Sequence, residues 1–484
     1  MRRLEYPPFG GKGLPIFCGS RRRMGSFFAR SAPLRRAGGT ASLASADREP
    51  PRRAMKLAPD EKSMLDGDHG LAKQKAMELL LRYGEALGAE RFVDTNNVAG
   101  VPGSTNAFLA KYYREKGFGP GYDVIYSLFD LDSDEVVEVP KTQVYSCHLQ
   151  GGMDPVEWQT LGMSKEAHDQ FMKSEEAIAG HGIQLLKTCT PYLAGNVPVK
   201  GEHCAWMESS AVVFCNSVIG ARTNTEGRES TSAAMLTGKI PDWGLHRDEW
   251  RFGTHHIEVE VPVTTVMDWG MLGYYVGEKV EENIPVLTGE MTQPNLIRHK
   301  HFGAAAASSG GVEMYHVVGI TPEAPTVEAA FGSRRPRDTF RYDASERRRI
   351  YDKINANGSD PNVDFVMLGC PHYSIEQIWE TVKLLDGRKV SGNCKLWIFT
   401  SRAVKAVADR NGYTQAIRDA GGILLTDTCS SISQAIPKGT KVAALDSAKQ
   451  AHYLPAFMNI EAWFGSTADC IDAACTGRWN GEAP

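Results

Sequence analysis

Val363-Asp364-Phe365-Val366-Met367-Leu368-Gly369-Cys370-Pro371-His372 sets the reading of the fold. The apolar run that ends at Leu368 has the length of a buried strand, and Gly369 with Pro371 turns the chain. Downstream the pattern repeats. A helix is expected over 374–385, a strand over 395–400, a helix over 403–411 and a strand over 422–426. A turn follows at Asp427, Thr428 and Cys429, and a strand over 442–445 closes the series. Strands alternating with helices build βαβ units and a parallel sheet, so the fold class is α/β. Ligands of such sheets sit beyond the carboxyl ends of the strands. Cys370 and Cys429 both fall at such ends.

Upstream the signals are more varied. Residues 60–87 read as one helix, with Ala72, Ala76, Leu79, Leu80 and Tyr83 at helical spacing and Gly88 as the stop. Short β-rich runs follow at 122–129 and 136–145, then a helix over 175–186 that leads into a Pro-rich turn. Strand-like and Gly-containing pieces alternate over 263–289. No internal repeat at a period of roughly 20–50 residues is visible.

With 484 residues, of which 42% are apolar, the chain has ample material for a core in more than one lobe. No stretch approaches the ~18 uninterrupted apolar residues of a membrane-spanning helix. The net charge of −4 conceals an asymmetry: residues 1–54 carry 12 Lys and Arg against 3 Asp and Glu, leaving a body at −13. An acidic body lacks the electrostatic footprint of a nucleic-acid binder. Residues 1–54 are rich in Arg, Gly, Pro, Ser and Ala without sustained apolar periodicity. They read as a transit peptide, a disordered basic extension or a mis-assigned start upstream of Met55. The last reading is preferred, because folded-looking sequence begins at once after Met55.

The ten cysteines are scattered, contain no C-x-x-C pair and follow no secretory segment, so a reducing, cytoplasmic compartment is expected. Three of them lie in polar turns: Thr188-Cys189-Thr190-Pro191-Tyr192, Gly369-Cys370-Pro371-His372 and Asp427-Thr428-Cys429. Cys215, by contrast, ends the apolar run Val212-Val213-Phe214. Turns that present a thiolate to nearby backbone N–H groups suit a metal. The three are too far apart in sequence to form a local motif. On chemistry alone, inert loop thiols, a zinc site and an iron site with an open position all remain open.

The segment from Thr188 to His246 carries a resemblance. T-C-T-P-Y (188–192) is followed by G-E-H-C-A-W-M-E-S-S-A-V-V-F-C-N-S-V-I-G-A-R-T-N (201–224) and Gly244-Leu245-His246. Then come Gly319-Ile320-Thr321-Pro322-Glu323-Ala324, Gly369-Cys370-Pro371-His372, Asp427-Thr428-Cys429 and Ser447-Ala448-Lys449, with Asp66-Gly67-Asp68-His69-Gly70 near the start. Together these resemble the catalytic, large subunit of the aconitase X family, in one collinear order over residues 57–456. The resemblance implies an aconitase-like, multi-lobed catalytic region over 55–484 with parallel βαβ sheets, its C-terminal βαβ lobe at about 340–456. It implies a hydro-lyase whose iron–sulfur cluster or mononuclear iron is held by Cys189, Cys370 and Cys429. Activities of the family are dehydration of cis-3-hydroxy-L-proline and of mevalonate 5-phosphate. Aconitase-type sites are completed by a small swivelling domain that supplies a serine. Such a domain is lacking here, so a heterodimer with a small swivelling-domain subunit is expected. Residues 93–165 depart from the family: no His-containing segment stands near Asp94-Thr95-Asn96-Asn97, and Val139-Pro140-Lys141-Thr142 only loosely echoes V-P-T-T-L-N.

Dehydration needs a base for a C–H proton, a Lewis acid for the departing hydroxide and a cation for the substrate anion. Arg222, after Gly220-Ala221, is the expected anion clamp; its alternative is a surface pair with Glu226 or Glu229. Glu208 is read as orienting Arg222 or facing solvent. Ser209, Ser210, Asn216 and Asn224 are expected to bind substrate, with helix capping and turn bonding as the alternative. His246 and His372 are candidates to donate to the leaving hydroxyl or to support the cluster. Glu323 is a candidate proton carrier or a helix N-terminal charge. Lys449 and Ser447 complete the catalytic set, and Cys204 and Cys215 are assigned to packing. A cis-3-hydroxy-L-proline-type substrate is placed above a phosphorylated one, because the body is acidic and no Gly-rich phosphate loop is present. The competing readings are a metal-dependent hydrolase on the same Cys and His set, and a non-catalytic iron–sulfur protein.

Overall fold

Phe365–Leu368 is the middle strand of a five-stranded, wholly parallel sheet in the computed structural model, which describes residues 55–101 and 139–484. The strand order is Gly422–Thr426, Lys395–Thr400, Phe365–Leu368, Val442–Leu445, Glu461–Phe464. The chain steps outward twice from the middle strand and then crosses back, so the order reverses between Phe365–Leu368 and Val442–Leu445. Such a reversal opens a crevice at the carboxyl ends of the two strands. Cys370 and Ser447 flank that crevice. The intervening helices begin where the sequence provides caps. Ser374 and Gln377 form a reciprocal capping box on Ile375–Leu385, and Ser401 accepts from Val404 N at 3.2 Å to start Arg402–Arg410.

The sheet does not close at Val442–Leu445. Helix Ala448–Met458 follows, then strand Glu461–Phe464 and helix Thr467–Thr476. Glu461–Phe464 is an edge strand whose residues alternate between partly and fully buried, so it shows no continuous apolar run.

Two further parallel sheets precede this one. Tyr145–His148, Asn97–Gly100 and Cys204–Trp206 make a three-stranded sheet; His316–Val317, Pro285–Met291, His255–Val263 and Asp338–Tyr342 make a four-stranded one. Helices Val266–Val280 and Leu296–Gly310 pack closely, because a side chain at Gly273 or Gly277 would strike the Phe302 or Ala306 carbonyl, at 2.3 and 2.5 Å. Trp269, Phe302, Tyr315, Phe365, Trp397 and Phe399 join this helix pair to the five-stranded sheet in one core.

Several upstream expectations are corrected. The helix over 60–87 is two helices, Pro59–Leu65 and Leu71–Leu87, broken where Gly67 and Gly70 both adopt a φ of 90°. The helix placed at 175–186 is Lys165–Gly180, started by Ser164. Within 263–289 lies the 15-residue helix Val266–Val280; nearly all of it is buried, so no polar face marks its period. The run at 122–129 lies outside the described residues, and the described part of 136–145 becomes a strand only at Tyr145. No helix among the described residues is long and apolar enough to cross a membrane.

Candidate active site

The three cysteine turns meet on one imidazole. His372 Nε2 lies 2.8 Å from the Thr428 carbonyl oxygen, which only accepts, so Nε2 carries the proton. Nδ1 therefore accepts from Thr188 Oγ1 at 2.9 Å, and the His372 backbone N–H donates to Cys189 Sγ at 3.2 Å. Thr188 precedes Cys189, Thr428 precedes Cys429, and His372 itself follows Cys370. The ring is 1% exposed, and burial pushes its pKa down to about 4, which keeps it neutral. Gly369 admits this turn: its φ is 97°, and a side chain there would stand 2.2 Å from the Phe399 carbonyl oxygen. Beneath the turn, Lys300 donates to the carbonyls of His372 at 2.7 Å and Pro371 at 3.3 Å. Burial pushes the Lys300 pKa down to about 8.

Behind the turns runs a charge network in which Glu175, Lys187 and Asp427 are buried and Arg402 reaches solvent. Glu175 accepts from Arg402 at 2.9 Å and lies 3.5 Å from Lys187; Arg402 also pairs with Asp427. Lys187 and Asp427 stand two residues before Cys189 and Cys429, so the network ties those turns to helices Lys165–Gly180 and Arg402–Arg410.

In front of the cysteines sits a polar group on two facing helix N-termini. Lys449, in the first turn of Ala448–Met458, donates to Glu208 at 2.7 Å, Ser210 at 2.6 Å and Ser209 at 3.3 Å. Glu208 also caps Ser209–Phe214 by accepting from Ala211 N at 2.8 Å. Ser447 caps the other helix by accepting from Gln450 N at 3.2 Å. Despite burial, Glu208 and Cys370 hold the Lys449 pKa above its ordinary value, so it remains an ammonium.

The other candidates are placed apart from this group. Arg222 pairs with Asp248 and donates to the His246 carbonyl at 2.8 Å. Its partner is thus neither Glu226 nor Glu229, and it is not bonded to Glu208. His246 Nδ1 lies 2.9 Å from His203 Nδ1, and burial pushes the His246 pKa down to about 3. Arg222, His203 and His246 line a cavity of about 720 Å³ that none of the three cysteines lines. Asn216 is filled: its amide donates to Thr223 O and Glu313 O, and its oxygen accepts from Thr223 N and from Arg251. Asn224 donates to Trp243 O and accepts from Leu245 N. Glu323 is paired with buried Arg251 through three contacts of 2.6 to 3.1 Å. Turn bonding, the alternative for both asparagines, is what their geometry fits. Cys204 and Cys215 are fully buried, as expected of packing residues.

Sequence reasoning missed Lys300 and Arg251. Lys300 lies in the basic run Arg298-His299-Lys300-His301, which reads as a solvated face. Arg251 had no signal.

The cysteine group suits a soft metal centre. All three thiols are free and buried, and each is pushed up to about 12, chiefly by burial and in part by another of the three. Yet among the described residues no three His, Cys, Asp or Glu side chains converge tightly enough for one ion.

Family models for the aconitase X first, second and third domains match residues 54–249, 253–352 and 363–476. The phosphomevalonate dehydratase large subunit of Methanothermobacter thermautotrophicus is 37% identical over 415 residues, 85% of this chain and 96% of that protein. The cis-3-hydroxy-L-proline dehydratase of Pseudomonas aeruginosa is 33% identical over 488 residues, 97% of this chain and 80% of that protein. The crystal structure of Thermococcus kodakaraensis aconitase X in its holo-form matches with a TM-score of 0.71 at 31% identity, covering 87% of this chain and 100% of that one.

Proposed function

The chain belongs to the aconitase X family and is a dehydratase, and on that footing we propose that it removes water from a small zwitterionic hydroxy acid of the cis-3-hydroxy-L-proline type. The observation that carries this reading is the Lys449–Glu208 pair set in front of the three cysteine turns. A cyclic amino acid brings a carboxylate and an ammonium, which match one cation and one anion. A phosphorylated acid brings two anionic groups and would leave Glu208 facing charge of its own sign.

Cys189, Cys370 and Cys429 would hold the iron–sulfur cluster, which when bound supplies a Lewis acid for the departing hydroxyl. The chain's own groups bind and orient the substrate. Lys449 takes the carboxylate, Glu208 the ammonium, and the Ser209 and Ser210 hydroxyls fix the ring between them. A small swivelling-domain subunit would close the site and supply the catalytic serine that the resemblance implies. The name large subunit carried by the phosphomevalonate dehydratase relatives supports such a partner.

The named relatives are dehydratases, which supports neither the hydrolase nor the non-catalytic alternative. A second substrate reading, mevalonate 5-phosphate, is favoured by the 37% identity to a phosphomevalonate dehydratase large subunit. The test is turnover of both compounds by the chain with its small subunit. Consumption of cis-3-hydroxy-L-proline, abolished by Glu208→Gln, is expected. Consumption of the phosphorylated acid alone would overturn the substrate assignment.

A further inference from the structure

We propose that His372 is a positioning residue that fixes the three cysteine turns relative to one another before any iron is bound. The inference rests on the reading that Cys189, Cys370 and Cys429 hold an iron centre.

The three turns come from distant parts of the chain, and two of them follow strands of the same sheet. Nothing in the sheet itself sets the distance from the Cys189 turn to the other two. His372 does so with three bonds in three directions. Its backbone N–H reaches Cys189 Sγ, its Nδ1 takes the Thr188 hydroxyl proton, and its Nε2–H reaches the Thr428 carbonyl. Both ring nitrogens are thus engaged in one tautomer, with no lone pair or proton left for substrate. That geometry fits support of the cluster and leaves no means of donating to a leaving hydroxyl. Thr188 is fixed in turn, because its oxygen accepts from Thr190 N at 3.1 Å. Lys300 holds the His372 carbonyl from beneath, so the ring cannot move without its turn. Bonds of this kind, one step out from metal ligands, orient the ligands and tune the metal.

The two amide analogues separate the ring's bonds. Asn in place of His372 keeps an acceptor near Thr188 and loses the donor to Thr428; Gln keeps a donor towards Thr428 and loses the acceptor. Thr188→Val removes the Thr188 bond from the other side at nearly constant volume. The full chain, purified without oxygen, is loaded with ferrous iron and sulfide. Iron release to a ferrous chelator is followed by visible absorbance, and thermal unfolding is recorded on the iron-free protein.

His372→Asn, His372→Gln and Thr188→Val should each release iron about tenfold faster or more, while the iron-free unfolding midpoint falls only by what a lost buried hydrogen bond costs and does not track the release rates. Thr188→Val added to His372→Gln should add less than it does alone, since the ring bond is already gone and only the Thr188 contacts to Thr190 remain to be lost. Added to His372→Asn it should accelerate release again. Wild-type release rates in these variants, beside a Cys429→Ser control that loses its iron, would overturn the proposal while leaving the iron site intact. Midpoints of the iron-free variants that fall in step with release would also overturn it, by showing a general structural role. If the wild type holds no more iron than the three Cys→Ser variants, the iron reading fails and this proposal fails with it.

Discussion

Arg251 holds Glu323 as a fork holds a fork. Nε donates to both carboxylate oxygens, at 3.1 and 2.9 Å, and a terminal nitrogen donates to Oε1 at 2.6 Å. The guanidinium's remaining bonds go to Leu245 O, Ala221 O and the Asn216 backbone and side chain. Glu323 is therefore placed as the anion of a buried joint. Arg251→Met should destabilise the protein by about 3–5 kcal/mol, the scale of an uncompensated buried charge. Glu323→Gln should cost roughly 1–3 kcal/mol and leave turnover per folded molecule nearly unchanged. Denaturant unfolding beside steady-state kinetics checks both. A fall of about 10²-fold in kcat at unchanged stability, the size of a lost general acid or base, would return Glu323 to the catalytic set.

Lys449 is the cation on the helix N-terminus in front of the cysteine turns. Lys449→Met should lower kcat/KM by about 10²–10³-fold, as for loss of one well-placed donor to a reacting group. Iron content and visible absorption should stay at wild-type values. Loss of iron together with activity would assign Lys449 to the metal centre instead of the substrate.

Glu226 gives the stability a pH dependence. It is 2% exposed, and burial, aided by the neighbouring Glu313 charge, pushes its pKa from 4.5 up to about 7. The folded state thus keeps a proton that the unfolded chain has lost. The stabilisation is complete below pH 4.5 and disappears as pH rises through about 7. Glu226→Gln should remove this dependence. The variant should gain roughly 3 kcal/mol over the wild type at pH 8 relative to their difference at pH 4.5. Parallel stability curves for the two proteins across that range would contradict the assignment.

Gly369 and Gly387 both have positive φ, 97° and 75°, but only Gly369 faces an obstacle. Gly387→Ala should cost about 1–2 kcal/mol for its conformation. Gly369→Ala should cost more, because its methyl meets the Phe399 carbonyl, and it should also weaken iron binding by moving Cys370. Unfolding midpoints and iron content of the two variants decide the matter; equal midpoints would show that the close approach is relieved cheaply.

How much of this was legible in the sequence differs between fold and site. The strands at 395–400, 422–426 and 442–445 were readable to the residue, because fully buried parallel strands are short apolar runs between turn residues. Helix Val266–Val280 was not, since a helix buried on every side loses the polar face that reveals its period. At the site, residue type announced chemistry but not direction. Asn216, Asn224, Glu323 and Arg222 are the right kinds of group for binding an acid. Their donors and acceptors are instead taken up by backbone carbonyls, Arg251 and Asp248, partners that no local spacing reveals. Lys449, Ser209 and Ser210 face one another only because two helix N-termini some 240 residues apart in sequence are brought together.

The central claim is that Cys189, Cys370 and Cys429 form one iron centre. The direct measurement is iron and acid-labile sulfide per chain, on protein purified without oxygen, for the wild type and for Cys189→Ser, Cys370→Ser and Cys429→Ser. Iron with sulfide is expected in the wild type, and loss of both in all three variants. Wild-type protein without iron, or iron that survives any of the three substitutions undiminished, would contradict it.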